Sequence, residues 1–409
     1  MAAFSTADLK QRLRRAERRK RLGSLGLFAP SILFLTIFFA LPIALMLYRA
    51  VQNPEVIEAF PETMAEIQQW DGEGMPPEEV IATFAEELKV ARDERQLGGP
   101  GRRLNYEIAG YRGLLRTTAF GLPEEEPEAS WRDTLIEIDE RWGESQYWQA
   151  LQENSSWITF DYLLAAVDLE QADDGSIQQV AENQAIHVDL YLRTLWMAFV
   201  ITGIALLLGY PIAYLMTNSS GPTQGILLVM VLFPFWTSLL VRTASWMVLL
   251  SRNGPLNNLL VSLGLTDAPL EMLYNRFGVY VGMVHILLPF MIMPIYAVMR
   301  GIPHSHMRAA ASLGAPPLKA FRRIYLPQTM PGITAGCLLV FILAVGFYIT
   351  PALLGGQSDQ MVSYFIAYYT NETLNWGLAS ALAAILLLMI FVLYAIFTRL
   401  TGSGRIQVG

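Results

Sequence analysis

Few side chains in this 409-residue chain are placed to make or break bonds. His304 and His306 stand two apart in the segment HSH, and on a helix that spacing points them in different directions, away from a shared metal ion. Cys337 is the single cysteine, which excludes an intrachain disulfide or a thiolate metal cluster and leaves it as a small apolar residue of a helix. A phosphate-cradling loop needs a glycine, four residues, then Gly-Lys and a hydroxyl. The only lysines are Lys10, Lys20, Lys89 and Lys319, and none follows a glycine, so ATP hydrolysis by that route is excluded. No nucleophile is paired with a base. Cation-coupled carriers place carboxylates inside the bilayer. Outside residues 51–190 the acids here are Asp8, Glu17, Asp267, Glu271, Asp359 and Glu372, none of them in an apolar run. Of the other ionisable groups, Arg242 and His285 are the ones placed well inside such runs. An arginine there is costly unless it faces a helix bundle or a wet cavity, which makes Arg242 a candidate pathway or structural-network residue. His285 reads as a packed, hydrogen-bonded helix residue.

The elements that carry these residues are apolar helices. The chain is 53% apolar and 11% aromatic, with a positive mean hydropathy, a balance suited to a bilayer. Crossing the hydrocarbon core takes about 20 apolar residues. Six runs qualify: 25–47, 192–216, 226–250, 279–299, 333–353 and 379–397. The first follows a basic stretch, as a secretory signal would, but it is too long for a signal core and lacks a small-x-small cleavage site, so it is expected to be retained. Lysine and arginine excess marks cytoplasmic segments. Eight basic residues precede residue 22; Arg308, Lys319, Arg322 and Arg323 lie between the fourth and fifth runs, and Arg399 and Arg405 near the end. Both termini are therefore expected in the cytoplasm. The proline and glycine groups GYP, FPFW and LLPFMIMP are expected to interrupt the spans, as breaks do in a bundle around a pathway. Gly278-x-x-x-Gly282 and Gly332-x-x-x-Gly336 have the spacing for close helix approach.

The net charge of −7 hides a division, because residues 51–190 hold 30 acidic and 9 basic residues. That marks a soluble acidic insert in a basic membrane body. The segments are then 1–22, cytoplasmic; 23–49, the first span; 50–188, the extracytoplasmic insert; 189–400, a core of five further spans with a cytoplasmic loop at 301–332; and 401–409, a cytoplasmic tail. Within the insert, PPEEVIATFAEELKVARDERQ predicts an amphipathic helix with Val80, Phe84 and Leu88 on one face. Trp70, Trp131, Trp142, Trp148, Trp157, Tyr147 and Phe160 are the candidate core, and no strand alternation stands out. The insert's acidity suits a cationic solute or basic partner, or a merely solvated surface.

The segment RAAASLGAPPLKAFRRIYLPQTMPGI, residues 308–333, is basic and proline-bounded. Pro303 opens a short helix running to Leu313, Gly314 ends it in the left-handed conformation, Pro316 and Pro317 start a second, and Pro327 terminates that one. Leu318, Phe321 and Ile324 share a stripe on the second helix. Such an elbow suits the transmission of a partner's motion, or else lies on the membrane surface.

Those residues resemble the coupling loop of permeases of binding-protein-dependent ABC importers: Ala309, Ala310, Leu313, Gly314, Ala315, Phe321, Leu326, Pro327, Pro331 and Gly332 match, and Arg308 stands where the pattern has glutamate. The stretches RTLWMAFVITGIALLLGYPIAYLM, FGVYVGMVHILLPFMIMPIYAVM and FYITPALLGG are similar to the branch serving spermidine and putrescine. The long insert departs from the usual family pattern. The resemblance implies an all-α fold of six transmembrane helices of the type I importer kind, embedded in the bacterial inner membrane. It also implies a second permease as heterodimer partner, two ATP-binding cassette subunits and a periplasmic solute-binding protein, with the lipid bilayer around them and no nucleic acid. The chain itself would bind no cofactor; ATP and Mg would be used by the partner ATPase. Arg308, Ala309, Ala310, Leu313, Gly314, Ala315, Leu318, Phe321, Ile324 and Pro327 would form the coupling surface. With no carboxylate in the spans, an organic cation would be handled by aromatic faces, for which Trp236, Trp246, Tyr296 and Tyr348 are candidates beside Arg242. Amino-acid derivatives, opines and phosphonates are rival solutes, and an ATP-independent carrier or a membrane-anchored sensor are rival functions. The insert is expected to guide or gate the docked binding protein.

Overall fold

The computed structural model describes residues 28–401 apart from 128, 173 and 174. The basic segment 1–22 and nearly all of the tail 401–409 lie outside the described residues. The chain divides into two compact units, Met1–Phe160 and Asp161–Gly409. Residues 161–188, expected in the insert, thus belong with the second unit.

The first unit opens with α1, Phe28–Arg49, long and apolar enough to cross a membrane and with none of its apolar window buried by protein. It widens into a π turn at Thr36–Ala40, where the Leu41 N–H reaches back to the Thr36 carbonyl. Pro42 follows directly. A proline ring meets the carbonyl four residues behind it, and the wider turn displaces that carbonyl, so the helix continues. Seven further helices follow: α2 (Pro54–Ile57), α3 (Pro61–Ile67), α4 (Glu78–Asp93), α5 (Gly98–Glu107), α6 (Tyr111–Gly121), α7 (Trp131–Ile138) and α8 (Ser145–Glu153). Prolines start α2 and α3, where a missing N–H costs nothing, and the Ser130 hydroxyl accepts the Asp133 N–H to cap α7. Val80, Phe84 and Leu88 of α4 are buried as their spacing predicts. Phe84 is the hub, with ring centroids 5.3 Å from Phe60, 5.2 Å from Trp142 and 5.4 Å from Trp148. The polar edges are satisfied internally: Trp142 Nε1 donates to Thr118 Oγ1 at 2.7 Å, Trp148 Nε1 to the Trp142 carbonyl at 2.9 Å, and the Tyr111 hydroxyl to the Tyr147 carbonyl at 2.7 Å. Trp157 and Phe160, expected in this core, are exposed. They lie on a segment held by its backbone, the Asn53 N–H donating to the Trp157 carbonyl and the Thr159 N–H to the Val51 carbonyl, so side-chain packing is not what fixes it.

The second unit begins with α9 (Asp161–Ala165) and a short antiparallel hairpin, β1 (Leu169–Gln171) with β2 (Ile177–Gln179), that the sequence did not signal. Three-residue strands are too short for alternation to register. The long helices are α10 (His187–Asn218), α14 (Arg276–Arg300), α16 (Pro317–Gly346) and α19 (Trp376–Thr401). Between α10 and α14 lie α11 (Pro222–Leu232), α12 (Leu239–Leu250) and α13 (Pro255–Ser262). Between α14 and α16 lies α15 (His304–Ser312). After α16 come α17 (Ile349–Leu354) and α18 (Val362–Asn371). Asp168 caps α10 from a distance, its carboxylate accepting the N–H groups of Ile186, His187 and Val188 at 3.1, 2.9 and 2.7 Å.

Among the described residues five helices are long and apolar enough to span a membrane, and a sixth is counted if the pair Pro222–Trp236 and Leu239–Ser262, bent by 99°, is one broken span. The run 226–250 is thus interrupted at FPFW, as its proline suggests. The other interruptions do not occur: α10 runs through Pro211, and α14 through Pro289 and Pro294. Helix α14 packs against both α10 and α16. Gly332 and Gly336 allow the second contact, since a Cβ at Gly332 would lie 2.9 Å from the Pro294 carbonyl oxygen and one at Gly336 3.0 Å from that of Met291.

Candidate functional site

The elbow between α14 and α16 forms as two competing local rules direct. Helix α15 ends with Leu313 as its cap and Gly314 at φ +80°, a conformation that costs glycine nothing. The Gly314 N–H returns to the Ala311 carbonyl at 2.9 Å and the Ala315 N–H to that of Ala310 at 3.0 Å, the paired bonds of a Schellman motif. Pro316 and Pro317 then start the next helix. Pro327 does not terminate it, in contrast to the sequence expectation. The helix widens into a π turn at Phe321–Tyr325, with the Leu326 N–H on the Phe321 carbonyl, and continues to Gly346. The Leu-Pro pair after each π turn, 41–42 and 326–327, is the same device used twice.

The residues of the expected coupling surface separate into two sets. Leu313 and Leu318, 89% and 68% exposed, flank the turn, with Arg308, Ala309 and Gly314 also exposed. Ala310 is buried, Ala315 half-buried, and Pro327 exposed on the following helix. Phe321 and Ile324 are half-buried and do not share the exposure of Leu318. Phe321 packs edge-on against Tyr210 and Tyr214 of α10, centroids 6.3 and 6.0 Å away, and stacks on Tyr325 at 5.8 Å. His306 Nδ1 lies 2.8 Å from Gln328 Oε1, tying α15 to α16. The elbow is thus an apolar tip on a base fixed to two long helices. The sequence expectation does not include the tyrosines, although Tyr210 and Tyr214, four apart, mark one helix face.

The five candidate path residues are not gathered into one cluster: among the described residues no hydrogen bond or ring contact joins any two of them. Trp246 Nε1 donates to His285 Nδ1 at 3.1 Å, which accounts for His285 as a packed, hydrogen-bonded residue. Tyr296 is buried and its hydroxyl accepts from Gln224 Nε2 at 2.8 Å. Trp236 is 72% exposed at the bend, edge-on to Phe233, and Tyr348 is partly exposed just before α17. Among the described residues Arg242 Nε is enclosed without a hydrogen-bond partner, while its neighbour Thr243 lies 3.4 Å, hydroxyl to hydroxyl, from Thr350. Asp189, in the first turn of α10, is the one carboxylate in these long helices and is paired with Arg193. Arg276, at the start of α14, is paired with Asp359 at 3.0 Å.

Residues 194–402 match the family of binding-protein-dependent transport system inner membrane components. The chain belongs to that family. It is a transport permease subunit of an ABC importer, a multi-pass protein of the inner membrane, and its relatives are named for transport and not for catalysis. The permease is 38% identical over 213 residues to the spermidine/putrescine transport system permease protein PotB of Haemophilus influenzae, covering 50% of this chain and 74% of that one. It is 34% identical over 214 residues to PotB of Escherichia coli K12, covering 52% and 78%, and 32% identical over 231 residues to the inner membrane ABC transporter permease protein YdcU of the same organism, covering 53% and 72%. A solved bacterial ABC transporter involved in import of the acidic polysaccharide alginate is 17% identical, with a TM-score of 0.40 over 52% of this chain and 79% of that one, too distant to add to the fold.

Proposed function

We propose that this permease forms half of the translocation path for a polyamine or related organic cation, delivered by an extracytoplasmic binding protein and driven by ATP hydrolysed on partner ATPase subunits. The observation that carries the substrate class is the 38% identity to a spermidine/putrescine permease across 74% of that protein. The chain's own chemistry is compatible with it. Beyond the first turn of α10 the long helices hold no carboxylate, so a cation would be held by aromatic faces and carbonyl oxygens, at about 0.5–2 kcal/mol per ring. Trp236 and Tyr348, both exposed, are the rings free to do this, whereas Tyr296 is engaged in packing. A second permease would complete the path. ATP and Mg would act on the ATPases and not on this chain.

In the same reading the exposed tip of Leu313 and Leu318 seats in a cleft of the ATPase, and Phe321 with Tyr210, Tyr214 and Tyr325 passes its displacement to α10 and α16. The tip would face the cytoplasm together with both termini, and the acidic insert would face outward. Solute-stimulated ATPase activity of the complex, reconstituted with its binding protein and offered polyamines, quaternary amines and amino acids, tests this. Polyamines are expected to stimulate it. Leu313→Asp with Leu318→Asp should abolish that stimulation, leaving the permease's thermal unfolding within about 0.5 kcal/mol of the parent because both residues are exposed. Stimulation by amino acids alone, or an unaffected double variant, would overturn the substrate class or the coupling role respectively.

A further inference from the structure

The first unit is acidic overall, yet four of the nine basic residues in 51–190 line one cavity of about 270 Å³. Arg92 comes from the end of α4, Arg95 from the turn after it, and Arg112 and Arg116 from one face of α6, with Leu97 and Phe120 completing an apolar edge. Among the described residues no carboxylate lines it. Arg92 is fixed as wall, donating to Asp93 at 2.8 Å, Glu124 at 3.1 Å and the Ala119 carbonyl at 3.2 Å. Among the described residues the guanidinium groups of Arg95, Arg112 and Arg116 have no ion-pair partner.

Arg95, Arg112 and Arg116 are exposed at the mouth of this cavity, and two features act against their being gathered there. Arg112 and Arg116, four apart on a helix, repel each other. Arg95 occupies the left-handed position after α4, φ +60°, in a Schellman motif closed by the Gln96 N–H on the Ala91 carbonyl at 2.8 Å, where glycine or asparagine is the favoured residue. The ten-residue helix α5 also begins at the cavity, with Gly98 in its wall, no side-chain cap and no acid in its first turn, so its free N–H groups and positive end add to the same field.

We propose that this cavity binds a phosphoryl group. Three unpaired guanidinium groups and a helix N-terminus suit a compact, multiply charged oxyanion, and arginine's planar fork matches phosphate oxygens in pairs. The group is carried by free phosphate or by a phospholipid headgroup, whose chain Leu97 and Phe120 would border. The proposal is independent of the transported solute.

The test is arginine-selective modification of the full chain, followed residue by residue by mass spectrometry, with the exposed Arg308 and Arg322 as internal references. In detergent, millimolar inorganic phosphate is expected to slow modification of Arg95, Arg112 and Arg116 at least tenfold relative to those references, while chloride at equal ionic strength does not. In lipid nanodiscs the comparison is phosphatidylcholine alone against phosphatidylcholine with phosphatidylglycerol. Protection by inorganic phosphate identifies the free ion as ligand; protection only with phosphatidylglycerol identifies the headgroup. In either case Arg112→Gln with Arg116→Gln should remove the protection of Arg95. No selective protection in either setting, equal protection by chloride, or protection of Arg95 that survives the double substitution would overturn the proposal.

Discussion

The two units make their tightest contacts with different kinds of residue. In the first, a cluster of rings forms the centre: Trp142, Trp148, Phe84 and Tyr111 are fully buried and meet ring to ring. In the second, helices approach closely at glycines such as Gly332 and Gly336, while Phe199, Leu207 and Phe391 point outward, 65%, 74% and 61% exposed. The same physics produces both. Water rewards the removal of large apolar surface, so a water-facing domain collapses around its aromatics. Hydrocarbon does not reward it, and helices there associate through close backbone approach, which small residues permit. Helix α1 follows the second rule, although by chain contacts it falls in the first unit: its apolar side chains are all exposed.

Substitutions that exchange the two rules should break this contrast. The largest effect is expected from Trp142→Ala, which removes the ring at the centre of the first unit and leaves the Thr118 hydroxyl without its donor. Unfolding followed by near-ultraviolet circular dichroism should show a loss of about 3–5 kcal/mol. A loss below about 1 kcal/mol would mean that the aromatic cluster is not the core. Next comes Gly332→Val, whose Cβ would fall 2.9 Å from the Pro294 carbonyl oxygen. Overpacking of this kind costs about 1–3 kcal/mol, and unfolding in mixed micelles should register it as a loss of α14–α16 association. A neutral result would show that glycine is not needed there.

The smallest effect sharpens the contrast at the partly exposed edge of the first unit. Arg141 grips Asp139 with two bonds, Nε to Oδ1 at 2.8 Å and a terminal nitrogen to Oδ2 at 2.7 Å, which holds the carboxyl below its ordinary range. Its folded value lies below the unfolded one of about 3.9, so it stabilises the unit above that pH and loses this contribution as pH falls through the folded value. Asp139→Asn should therefore cost up to about 1 kcal/mol at pH 7, the pair being partly open to water. The difference from the parent should close on acidification below pH about 4, as read by unfolding midpoints. A difference that persists unchanged at low pH would assign the cost to geometry and not to charge.

Much of the fold was legible because helical spacing and proline punctuation act locally. Val80, Phe84 and Leu88 marked the buried face of α4, and Gly314 with Pro316 and Pro317 marked the elbow. A proline's outcome is not legible where it depends on the turn before it. Pro327 ends a helix only if Arg323 keeps its α-helical carbonyl in place, and the π turn moves it. The stripe Leu318, Phe321 and Ile324 was correct as periodicity but said nothing of which side meets α10; Tyr210 and Tyr214 decided that. The exposed Trp157 and Phe160 show the same limit, since aromatic type does not reveal that a segment is held by its backbone.

The sequence by itself determined the class of protein: apolar runs of bilayer length, a basic body around an acidic domain, no carboxylate in the long runs, and an elbow written in glycine and proline. These follow from composition and from interactions within a few residues. Only the tertiary structure decided that the elbow presents Leu313 and Leu318 while Phe321 is held against α10, that the third apolar run is bent by 99°, and that arginines of α4, the turn after it and α6 share one cavity. Each of these depends on which helices meet, and a helix's own residues fix its faces but not its neighbours.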